Sequence, residues 1–173
     1  MSKAAVGLRG RWAPAALLVA SLLLLGCGGP EQQPPAAGWL AGLSSPDVVV
    51  RRAAAREAGA RAGWDAAAVQ GLARALGDPD RWVREAAAAA LREQGPAAAP
   101  ALAALRATLR DPDEYVRWRA AEALGRIGPA AAAAREDLSR HASDPDEVEV
   151  VRAASQRALE RIGAAVTPAA PAR

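Results

Sequence analysis

Four prolines, Pro46, Pro79, Pro112 and Pro145, stand 33 residues apart, and each is followed by an aspartate: Asp47, Asp80, Asp113, Asp146. The lines that follow them are alike: SPDVVVRRAAAREAGARA, DPDRWVREAAAAALREQG, DPDEYVRWRAAEALGRIG and DPDEVEVVRAASQRALERIG. The fourth carries two extra residues before its arginine, Arg152. A fixed period of this size constrains the fold more than any other feature. No single unit can bury its apolar face alone, so consecutive units must stack into a solenoid.

Each unit reads as a pair of helices. Ser45, Asp78, Asp111 and Asp144 are placed to cap the second helix, with proline at the first helical position, where a missing N–H costs nothing. Glu114 and Glu147, three residues after their caps, complete capping boxes. Val116, Ala120, Ala123, Leu124 and Ile127 recur on one face at helical spacing. Gly95, Gly128 and Gly163 end the second helices, and Pro96 and Pro129 prevent continuation. The first helices are centred on Val69-Leu72-Leu76, Leu102-Leu105-Leu109 and Ala134-Leu138-Ala142, and Asp65 is placed to cap the first of these. No stretch alternates like a strand, so the expectation is an all-α solenoid of about four helical hairpins. The units run about 38–63, 64–95, 96–128 and 129–163.

The pattern Leu-x-x-Leu-x-Asp-Pro-Asp…Val-Arg-x-x-Ala-x-x-Ala-Leu…Gly resembles HEAT repeats, in particular the HEAT-like repeats named after phycobilisome lyases. Leu105 through Gly128 carries it most fully, and the resemblance covers about residues 38–163. The first unit departs from it: Ala58 replaces the usual leucine, and no glycine falls at the expected end. The resemblance implies a right-handed α-superhelix whose second helices line the inner surface. It also implies a ladder of cap aspartates with the arginines six residues on: Asp78 with Arg84 and Asp111 with Arg117. In the fourth unit Asp144 and a shifted Arg152 continue it, and in the first Ser45 replaces the aspartate. The ladder is read as structural, since it repeats in every unit.

The N-terminus is different in kind. Lys3, Arg9 and Arg11 precede an apolar run from Ala13 to Leu25. A basic start and a short apolar core describe a secretory signal, and the run falls short of the roughly 20 residues of a membrane span. Leu24-Leu25-Gly26-Cys27 resembles the lipobox of bacterial lipoproteins and contains the chain's single cysteine. That resemblance implies cleavage before Cys27 and acylation of its thiol, hence a lipid anchor in the cell envelope. Gly28, rather than aspartate, follows, which points to the outer rather than the inner membrane. Residues 1–26 are then the signal peptide, 27–37 the lipidated cysteine with a Pro/Gly/Gln-rich tether, and 164–173 a disordered tail.

The signal accounts for the charge. The chain carries 22 basic and 19 acidic residues. Without Lys3, Arg9 and Arg11, 19 basic residues remain against 19 acidic, and no lysine is left. Nucleic acid is therefore discounted as a partner.

The residue inventory argues against catalysis, a cofactor or a metal. The single histidine, His141, has no partner serine or cysteine, and it is read as a surface residue. The HEAT-type iron hydroxylases carry paired His-Glu motifs, whereas His141 is followed by Ala142. The runs Asp111-Pro-Asp113-Glu114 and Asp144-Pro-Asp146-Glu147 lack the loop glycine and ligand spacing of calcium sites.

Aromatic residues are scarce: five Trp, one Tyr and no Phe. Trp12 falls in the signal. Trp39 and Trp64, near the starts of first helices, are placed to cover the open end of the stack. Trp82 and Tyr115 hold one repeat position, taken by Val49 and Val150 in the outer units. Trp118 lies one turn on, beside Arg119 and near Glu122. Together Trp82, Tyr115, Trp118, Arg119 and Glu122 form a candidate partner-binding patch, because aromatics flanked by arginine dominate interface hot spots. Packing between repeats is the competing reading of the same rings.

The function expected is a non-catalytic, lipid-anchored interaction scaffold for an unknown protein partner. Two alternatives stay open: an accessory subunit of an enzyme or chromophore-attachment system, and a self-associating structural lipoprotein.

Overall fold

A computed structural model describes residues 37–60 and 65–163. The signal segment, Cys27, the tether, Trp12, Trp64 and the C-terminal tail lie outside the described residues. Eight α-helices follow one another: α1 (Ala37–Gly42), α2 (Val48–Gly59), α3 (Ala66–Ala75), α4 (Arg81–Gln94), α5 (Leu102–Thr108), α6 (Glu114–Ile127), α7 (Arg135–Ser143) and α8 (Glu149–Gly163). Two 3-10 stretches, Gly95–Ala101 and Gly128–Ala134, lead into α5 and α7. Among the described residues there is no strand. The chain is an all-α solenoid of stacked hairpins.

The second helices, α2, α4, α6 and α8, pack side by side in one layer, and the first helices form the other. The core between them is built from small and branched residues. Leu72, Leu91, Leu105, Leu109, Leu124 and Leu138 are fully buried among many alanines. Alanine allows close approach: a Cβ at Gly125 would stand 2.9 Å from the Ala158 backbone of the next second helix. Trp39 is 3% exposed and belongs to this core.

The second helices are capped two residues later than expected. Asp47, Asp80 and Asp113 are the N-caps, their carboxylates accepting from the amides of Val49, Val83 and Val116 respectively. The prolines therefore lie in the turn ahead of the helix, not at its first position. Asp78, Asp111 and Asp144 instead accept from the amides of Asp80, Asp113 and Asp146, closing tight Asx turns. The chain in Pro-Asp is extended at the aspartate (φ −88°, ψ 123° at Asp80), which suits a residue before a helix. No capping box forms: Glu114 opens α6, and Glu147 lies before α8 with its carboxylate turned to another partner.

Asp65 caps α3 through the Ala68 amide. Gly95 and Gly128 end α4 and α6 at φ 53° and 72°, a region that disfavours any side chain. Pro96 and Pro129 follow, and the chain turns into the 3-10 stretches. Gly163, by contrast, lies inside the last turn of α8.

Candidate protein-interaction face

The arginine ladder joins neighbouring units instead of closing within one. Arg84 donates to Asp111 of the following unit at 2.6 and 2.9 Å. Its remaining Nη1 donates to the carbonyls of Asp78 and Pro79 in its own unit at 2.9 and 3.1 Å. The expected pairing of Arg84 with the Asp78 carboxylate is thus replaced by a bond to the Asp78 backbone. The Asp78 carboxylate is held by Arg51 of the first unit, at 2.7 and 3.2 Å. Ser45 therefore leaves no gap in the ladder, because the first unit supplies an arginine and needs no carboxylate of its own.

Arg117 continues the series, but to Glu147 and not Asp144, at 3.1 and 2.6 Å, with Asp111 receiving it only through its carbonyl at 2.8 Å. The two inserted residues bring Glu147 to the place an aspartate holds elsewhere. His141 Nδ1 lies 2.8 Å from the same carboxylate, so His141 is a half-buried member of this rung and not a free surface residue. Burial raises the Glu147 carboxyl, and the hydrogen bonds from Arg117 and His141 outweigh it, leaving it below the usual range. Arg152 ends the series; it pairs with Glu149 in its own helix.

A second set of bridges meets the capping aspartates. Arg52 holds Asp80 at 2.5 and 2.8 Å, and Arg81 holds Asp113 at 2.5 Å. Asp80 is lowered to about 2, chiefly by the Arg52 hydrogen bond, against the cost of burial and helped by the cap amides. The ladder expected from the sequence includes none of Arg51, Arg52, Arg81 and Asp80. The period itself contains the signal for Arg51: an arginine six residues into one unit lies 27 residues before the aspartate that opens the next.

These bridges present a shared face of the second helices. The large apolar side chains exposed among the described residues are Val49, Val50, Trp82, Tyr115 and Val150, all within the first three residues of a second helix. Val49, Trp82, Tyr115 and Val150 are each the second residue of a second helix. Trp82 is 43% and Tyr115 46% exposed. Arg81 stacks over the Trp82 ring at 4.0 Å. Beside Trp82, a cavity of about 240 Å³ opens between α2 and α4, lined by Arg56, Glu85, Ala86 and Ala89.

Trp118 does not share this exposure. It is half-buried and packs on the core, and its Nε1–H is buried without an acceptor among the described residues. Arg119 stacks on its ring at 3.9 Å and donates to Glu122 at 3.1 Å, while Glu122 also accepts from Arg92 of α4 at 3.1 Å. Trp118, Arg119 and Glu122 thus tie α6 to α4, and Trp82 and Tyr115 are the rings that face outward.

Among the described residues no group of three His, Cys, Asp or Glu could hold a metal ion. No described helix is long and apolar enough to cross a membrane.

A family model of HEAT repeats matches residues 36–108 and 102–172. Two crystal structures of engineered proteins from the Northeast Structural Genomics Consortium are similar, each with TM-score 0.62 at 24% identity over 76% of this chain. The match spans 63% and 64% of those two proteins, less than two thirds of their length, and shows the fold alone. No curated protein matches the chain. Repeat period, stacked hairpins and family model agree, and the protein belongs to the HEAT-repeat family.

Proposed function

We propose that this protein is a non-catalytic interaction scaffold, tethered to a bacterial envelope membrane through a lipid on Cys27, that grips a protein partner with its second-helix face. The observation that carries this reading is the exposed apolar line Val49–Trp82–Tyr115–Val150, one residue from each second helix at one repeat position. Large rings held half out of the surface, with Arg81 and Arg56 beside them, supply the apolar area and donors of an interface centre. Their exposure also makes them poor candidates for packing alone. The anchor rests on the Leu-Leu-Gly-Cys motif; two or three acyl chains, at about 0.8 kcal/mol per buried methylene, would hold the protein firmly. Gly28 after the cysteine favours the outer membrane.

The test pairs two readouts on the full chain. A detergent-solubilised pull-down from native envelopes compares wild type with a Trp82→Ala/Tyr115→Ala double variant of equal helical circular dichroism. A protein retained by wild type and lost by the variant supports the scaffold; identical captures by the two baits would end it. Labelled palmitate should enter the wild-type chain and not Cys27→Ser, and label in neither would remove the anchor.

A further inference from the structure

The outer layer of first helices contains a cavity at one junction, and at the next the equivalent positions carry an ion-pair cluster. Between units three and four, Asp137 of α7 is buried, 5% exposed. It accepts from Arg106 of α5 at 2.8 Å, from Arg110 just past the end of α5 at 3.3 Å, and from Arg140 of its own helix at 3.3 Å. Side chains thus bridge the two first helices.

One period earlier the same positions hold no such groups. Ala104 stands for Asp137, Ala73 for Arg106 and Gly77 for Arg110. A cavity of about 320 Å³ results between α3 and α5, with Ala73, Gly77, Ala104 and Ala107 in its walls. Arg74 and Arg110 also line it. At this junction Ala107 stands for Arg140, while Arg74 lies two periods before Arg140, with Gly71 three residues ahead of it where Arg140 has Asp137. The Arg74 residue is exposed, and its side chain makes no hydrogen bond or ion pair among the described residues. Arg110 has its side chain 69% exposed and only the long bond to Asp137. The one acid in the lining, Asp111, is already committed to Arg84 and the Asp113 amide.

The site therefore combines small apolar walls, a cation without a counter-ion and a second cation loosely held. Its size lies at the lower end for small-molecule pockets, about 300 Å³ and upward. We propose that this cavity binds a small carboxylate with a short apolar body. The carboxylate pairs with Arg74, with Arg110 at its flank, and the apolar part lies along the alanines. Guanidinium favours this anion because its planar fork matches a carboxylate.

Hexanoate is the probe. Titrated into the full chain at constant ionic strength, it should shift the amide resonances of Gly77, Ala104 and Ala107 saturably. Arg74→Gln, which keeps a polar side chain and removes the charge, should weaken binding roughly tenfold without changing the melting temperature. Ala104→Asp, which places a carboxylate in the wall, should abolish it. Hexanol, lacking the charge, should bind roughly tenfold more weakly than hexanoate. Hexanoate no tighter than hexanol, or unchanged by Arg74→Gln and Ala104→Asp, would overturn the proposal. So would inorganic phosphate binding as well as hexanoate, since the apolar walls would then contribute nothing, or shifts confined to residues around Trp82.

Discussion

Between units two and three, Arg84 holds an aspartate that opens a regular repeat; between units three and four, Arg117 holds a glutamate delivered by a two-residue insertion. Both arginines tie two carbonyls of their own unit as well. The two rungs differ in what else reaches the carboxylate. Each carboxylate accepts a nearby amide, and Glu147 alone also meets a histidine, His141. The position in space is kept while the residue, its length and its place in the chain all change. What the stack selects is a carboxylate at the guanidinium, and the backbone is adjusted to put one there.

The largest expected effect comes from removing the arginines. Arg84→Ala leaves the Asp111 side chain, 7% exposed, without its ion pair, and should cost about 3 kcal/mol in urea denaturation of the full chain. Arg117→Ala should cost less, because His141 still meets Glu147. Equal losses would show that the histidine contributes nothing to its rung.

Packing at the two ends of the second-helix layer should separate by sign. Gly125 faces the Ala158 backbone at a projected 2.9 Å, so Gly125→Ala forces α6 and α8 apart and should cost about 1–2 kcal/mol. Gly59 faces Ala90 at an ordinary 3.8 Å, and Gly59→Ala should be neutral or stabilising by about 0.5 kcal/mol, from helix propensity. Thermal melts of the two variants check both. A loss at Gly59 would mean that α2 packs as tightly as α8.

The smallest effect is on pH. A carboxyl lowered on folding contributes stability that is present above its unfolded value and is lost as pH falls through the folded one. For Asp80 that window runs from about 4 in the unfolded chain down to about 2. Asp80→Asn keeps a cap acceptor and loses the charge held by Arg52. The stability gap between wild type and this variant should be widest above pH 4 and should close as pH approaches 2. A gap that stays constant with pH would assign Asp80 to capping alone. Glu147, lowered as well, should fade in the same direction at the other end of the stack.

The sequence was informative where the physics is local or periodic. The 33-residue period, the helical spacing of Val116 to Ile127, the Asp65 cap and the glycine stops at Gly95 and Gly128 follow from residue type and order. The sequence places the caps two residues early because serine or aspartate on either side of the proline suits an N-cap equally well. Only the hydrogen bonds separate the Asx turn at Asp78 from the cap at Asp80. The sequence groups Trp118 with the candidate patch for a similar reason: helical position sets a direction, while the neighbouring helix decides whether the ring is covered.

What the sequence by itself determined is therefore the solenoid: its period, its helices and the residues available at each repeat position. Only the tertiary structure decided which unit each arginine serves. Arg84 lies within reach of Asp78 along its own chain and of Asp111 across the stack. The choice went to the carboxylate in front of it once the second helices had packed, with the near aspartate offering its carbonyl. The same cause separates the two outer junctions. Arg106, Arg110 and Asp137 are unremarkable at separations of 27 to 31 residues, and become one cluster only because stacking brings equivalent positions of successive units together.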